Sequence, residues 1–156
     1  MIMKNLLLFA ALFFSVSGFA QSAKEEVDMI QSLYGMEKKE IVADFIKLEG
    51  EQKTAFWKLY DAYEVQRKEL GKERIGLLEM YAENYGKLDD AKTDEIIKKM
   101  NSLTVKNDKL IATYYGKMKK PVGVKAAAQF TQIEYYLLST IRAEILEEIP
   151  FIGELD

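Results

Sequence analysis

Along this chain apolar residues recur at intervals of three and four, and beyond the first 20 residues no strand-like alternation of any length occurs. Five amphipathic pieces follow from that spacing. A first carries Val27, Ile30, Leu33 and Tyr34 and is expected to stop near Gly35. A second runs from about Glu37 to Leu48, with Ile41, Val42, Phe45 and Ile46 on one side. The third is long, from about 51 to 85. At ~100° per residue Phe56, Tyr60, Tyr63, Leu70, Leu77, Leu78, Tyr81 and Tyr85 fall in one stripe. Gly71 and Gly76 are its weak points, each costing ~1 kcal/mol against alanine, and a bend is expected there. Gly86 is expected to end it, and Asp89 or Asp90 to cap the next piece. That fourth piece, about 91 to 118, sets Ile96, Met100, Leu103, Leu110, Tyr114 and Met118 at near-heptad spacing. Lys119-Lys120-Pro121 should break it, because proline disfavours a helical conformation in the residue before it. The fifth piece groups Ala127, Phe130, Leu137, Leu138, Ile141 and Ile145 on one face and ends at Ile149-Pro150. The pattern predicts an all-α protein. Its expected form is an elongated antiparallel helical bundle of three long helices (about 51–85, 91–118 and 124–148), with one or two short N-terminal helices.

The first 20 residues depart from this pattern. Lys4 precedes an apolar run from Leu6 to Val16, and Gly18-Phe19-Ala20 supplies small residues at the positions a signal peptidase reads. A secretory signal peptide over 1–20 is expected, cleaved between Ala20 and Gln21, with a single helical domain over 21–156. The run is shorter than the ~20 residues a bilayer span needs, so no stable membrane insertion is expected after cleavage. The expected location is periplasmic or secreted. Loss of Lys4 takes the net charge from −3 to about −4, an ordinary balance that gives no sign of nucleic-acid binding.

The chain has no cysteine and no histidine. That excludes a disulfide framework, a lipidated cysteine and c-type haem attachment, and removes most zinc and copper chemistry along with the commonest general base. Asp89-Asp90 and Asp94-Glu95 lack the spacing and glycine of a calcium loop, and no phosphate loop or nucleophile elbow occurs. No cofactor and no enzymatic activity are expected.

Three charges stand at the centres of apolar stripes: Arg67 and Arg74 on the third piece and Glu134 on the fifth. Such residues are almost never buried unless paired, so an internal ion pair that fixes helix register is expected. The alternatives are arginines exposed along a groove, or a carboxylate–arginine ligand site. Asn107 is equally central on the fourth piece and reads as a register-setting polar residue. Lys98, Lys99, Lys106 and Lys109 belong to a lysine-rich stretch, which is either a solvated face or a basic surface for anionic partners. Trp57, Tyr115 and Tyr136 point away from their stripe centres, and either pack between helices at wider angles or form a patch for partners.

Leu48-Glu49-Gly50-Glu51-Gln52 resembles the Leu-Thr-x-x-Gln motif of the Spy/CpxP periplasmic chaperones, with threonine replaced, and Leu88-Asp89-Asp90-Ala91-Lys92 keeps its leucine and a capping side chain. Phe56-Trp57 with Tyr60 and Tyr63, Tyr81-Ala82 with Tyr85, Phe130-Thr131-Gln132-Ile133-Glu134 and Ile149-Pro150 resemble a wider set of secreted bacterial helical proteins. The first resemblance implies an ATP-independent chaperone or envelope-stress protein that cradles unfolded clients, usually as a homodimer. The second carries no activity. The rival expectation is a structural or adaptor subunit that docks one fixed envelope partner.

Overall fold

A computed structural model describes residues 34–154, and their regular structure is helical throughout. The signal peptide, its cleavage site and the first amphipathic piece up to residue 33 lie outside the described residues. Among the described residues helix α1 covers 34–45. Helix α2 spans Gly50–Asn84, α3 Asp90–Val122 and α4 Val124–Glu148, with a short 3₁₀ turn, Tyr85–Lys87, after α2. The all-α class stands. Gly35 lies inside α1, so helix does not stop there. Gly71 and Gly76 lie within an unbroken α2, where Leu70 and Leu77 anchor the adjoining turns in one apolar cluster.

Asp89 caps α3 by accepting the Lys92 amide at 2.8 Å. The expected break at Lys119-Lys120-Pro121 does not occur, because α3 runs through Pro121 to Val122. Proline removes one amide donor near the helix end, while Met118 and Val122, one turn apart and both buried, hold that last turn against the core. The Gly123 amide then donates to Lys119 O at 3.1 Å, and this one residue links α3 to α4.

Cross-helix contacts give the directions. Gln66 reaches Tyr114 and Lys106 reaches Glu73, so α2 and α3 are antiparallel. Tyr63 reaches Glu134, and Tyr81 donates to Pro150 O, so the end of α4 travels alongside α2 in the same direction. The core has two apolar clusters. One joins Val42, Ile46, Phe56, Tyr60, Tyr63, Ile111, Tyr114, Met118, Phe130 and Leu137 with their neighbours. The other joins Leu77, Tyr81, Ile96 and Leu103 at the opposite end. Between them stand Arg67 and Arg74 on α2, Asn107 on α3 and Arg142 on α4, beside half-buried Leu70, Ile141 and Ile145.

Candidate functional site

At the α1 end of the bundle a chain of charges is sealed into the apolar cluster. Lys38 is 1% exposed, and its Nζ lies 2.6 Å from Glu64 Oε1 and 2.7 Å from Glu134 Oε2. Glu64 Oε1 also accepts from Arg67 Nε at 2.8 Å, and the Tyr63 hydroxyl donates to Glu134 Oε2 at 2.6 Å. The Lys38 amine lies 5.6 Å from the Tyr60 ring centroid and 5.1 Å from that of Tyr63. The Arg67 guanidinium sits 5.2 Å from the Tyr34 ring. Two cations and two carboxylates make the set electrically neutral.

Local sequence places each member. Lys38 lies one turn after Tyr34 and one turn before Val42, so α1 turns it inward with its apolar face. On α2, Tyr60, Tyr63, Glu64 and Arg67 are spaced three and four apart and share one side. Glu134 follows Phe130 by one turn on α4.

Burial alone would raise the Glu64 pKa. Lys38 and Arg67, by charge and by hydrogen bond, outweigh it and hold the carboxyl below its ordinary range. For Arg67 burial works against the charge, and Glu64 more than restores it. Burial, with the charges of Glu64 and Glu134, pushes the Tyr60 and Tyr63 hydroxyls far above the ordinary tyrosine value. The chemistry this geometry supports is cohesion. The charges are withdrawn from solvent, and each salt bridge from Lys38 ties α1 to a different helix.

The structure therefore changes the expected pairing. Arg67 and Glu134 do belong to one buried network, but Lys38 and Glu64 stand between them. Arg74 is not part of it. Burial, and then the like charge of Arg142, lower its pKa. Asn107 is buried as expected, yet its amide donates to Leu103 O of its own helix rather than across to another. Lys38 and Glu64 were missed by the sequence reading. The available signal was Lys38 standing between Tyr34, Ile41 and Val42 on an otherwise apolar face.

The expected partner surface is dispersed. Trp57 is half-buried, stacked edge-on against Phe56 and Tyr60 and covered by Lys39. Tyr115 is half-buried against the core, with Lys119 over its ring. Tyr136 is 56% exposed. Lys98 pairs with Asp94, Lys99 with Glu95 and Lys106 with Glu73, while Lys109 is exposed.

Fold and site together define a protein that is helical over its described residues, with α1 locked to the long helices by buried charge. Comparison with protein-family models, curated proteins and solved structures finds no match.

Proposed function

We propose that this chain is an elongated antiparallel helical bundle that works in the periplasm or after secretion as an adaptor docking one envelope protein. The observation that carries this reading is the outer face of α4. Val124, Tyr135 and Leu146 are all exposed, and their eleven-residue spacing sets them about 20° apart in sequence around the helix. Small side chains, Ala128 and Ser139, lie between them, and exposed Phe151 and Ile152 extend the apolar surface past the helix end. Apolar side chains grouped on one helix face suit a fixed partner that lays a complementary face against them.

The chaperone reading needs a broad apolar face rimmed by free lysine charge. Lys98, Lys99 and Lys106 are instead engaged with acidic neighbours, which favours the adaptor. The Leu48–Gln52 and Leu88–Lys92 segments remain the support for a Spy/CpxP-like role.

A photo-reactive residue placed at Tyr135, and separately at Lys98, tests the choice in cells that express the protein. One discrete adduct with a different protein from position 135, and little from 98, is expected. A smear of many masses from both positions would favour the chaperone. No adduct from 135, or only a dimer of the chain itself, would overturn the adaptor.

A further inference from the structure

The level between the two apolar clusters holds charges that the Lys38 network does not use. Arg67 Nη2, Arg74 Nη2, Arg142 Nε and Arg142 Nη2 are buried and have no hydrogen-bond partner among the described residues. Buried guanidinium donors are seldom left unsatisfied, and where they are, a bound ion is one of the few physical reasons. The helix register brings them together. Tyr63 meets Glu134 and Tyr81 meets Pro150, so Arg74 stands level with the turn of α4 that carries Arg142. Arg67 lies two turns before Arg74 on the same side of α2.

The charge balance is uneven here. Lys38 and Arg67 are matched by Glu64 and Glu134, and nearby Glu73 is engaged by Lys106. Half-buried Glu144 acts on Tyr34 rather than on Arg74. Beside burial, the charge that lowers the Arg74 pKa is that of Arg142, another cation, and the buried guanidinium nitrogens of both have no partner among the described residues. A monocarboxylate would balance one of the two charges; a dianion balances both. Guanidinium forks match the paired oxygens of phosphate, and Arg74 and Arg142 are only half-buried, which leaves a way in from solvent.

We propose that this waist binds a phosphate dianion, free or as the end of a phosphomonoester, between Arg74 and Arg142. Arg142 lies one turn before Leu146 on α4, so the site borders the docking face, but the proposal does not rest on that reading.

Calorimetry and thermal melting of the intact purified protein test it, with inorganic phosphate and glycerol phosphate titrated against chloride at matched ionic strength. Saturating phosphate is expected to raise the melting temperature by at least about 2 °C. Arg74→Gln and Arg142→Gln should each weaken phosphate binding at least about tenfold, the scale of one lost charge-assisted contact. In chloride alone both variants should melt no lower than the parent, since each relieves a like-charge contact. Lys98→Gln, which alters only the exposed pair with Asp94, should bind phosphate as the parent does. Binding of both ligands marks a site open to phosphomonoesters, and binding of inorganic phosphate alone restricts it to the free ion. The proposal is overturned if the parent shows no phosphate binding, or if both arginine variants bind as well as the parent. Melting of both variants well below the parent in chloride would also overturn it, because the arginines would then be held by the chain's own groups.

Discussion

A lysine amine sealed between two glutamates and a lysine amine on the surface facing one aspartate make the same formal ion pair at very different free energies. Lys38 and its neighbour Lys39 provide the comparison, since Lys39 pairs with Asp61 at 2.7 Å with both side chains about half exposed. Lys38→Ala leaves Glu64 and Glu134 buried with Arg67 alone, and should cost about 3–5 kcal/mol. Lys39→Ala should cost under about 1 kcal/mol. Urea unfolding of the two variants measures the difference. The double variant Lys38→Met/Glu134→Gln should recover much of the loss, because it removes one charge of each sign together. The same network sets a pH window. The Glu64 pKa is lower folded than its ordinary value of 4.5, so its stabilisation is present above that value and is lost as pH falls below it. Tyr60 and Tyr63 are shifted the other way, above 10.0, so their contribution is present below that value and is lost as pH rises past it. Stability against pH should show a plateau between these limits and fall on both sides. Ultraviolet absorption should show a tyrosine step, lost in the double variant Tyr60→Phe/Tyr63→Phe, that coincides with alkaline unfolding. Arg67 and Glu134 were legible in the sequence because a charge at the centre of a long apolar stripe is conspicuous. Their partners were not, since pairing depends on which faces meet across helices and on a short α1 whose stripe has few members.

At the scale of elements, the helices follow the spacing of apolar residues closely, and the departures are at their ends. Pro121 suggests a barrier that the structure does not show. A proline in a final turn removes one donor, and two buried side chains, Met118 and Val122, outweigh that. The turn itself rests on Gly123, whose φ of 88° and ψ of 156° form a conformation that essentially only glycine adopts. A methyl group there would meet nothing within 4 Å, so the cost of Gly123→Ala is backbone strain alone. It should be about 1–3 kcal/mol destabilising. Gly76 gives the opposite sign. It is exposed within α2 with equally open surroundings, and Gly76→Ala should stabilise by about 0.5–1 kcal/mol through helix propensity. Thermal melts of the two alanine variants, which move in opposite directions, check both statements.

For the whole molecule, periodicity gives away the helices but not the division of the core into two clusters with a charged waist, because arginine in an apolar stripe reads alike whether it is paired or not. Arg142 carried no signal at all, since it lies at the edge of its stripe. The bond between Lys38 and Glu134 has a consequence for how the molecule comes together. The two residues are 96 positions apart, and α2 and α3 are able to pair long before α4 is in place. Until Glu134 arrives, Lys38 and Arg67 share a single carboxylate, and burying α1 would strand one positive charge in an apolar setting. Helix α1 is thus expected to dock only once α4 is in place. A chain cut short before α4 is therefore expected to leave α1 undocked, with Lys38 in solvent.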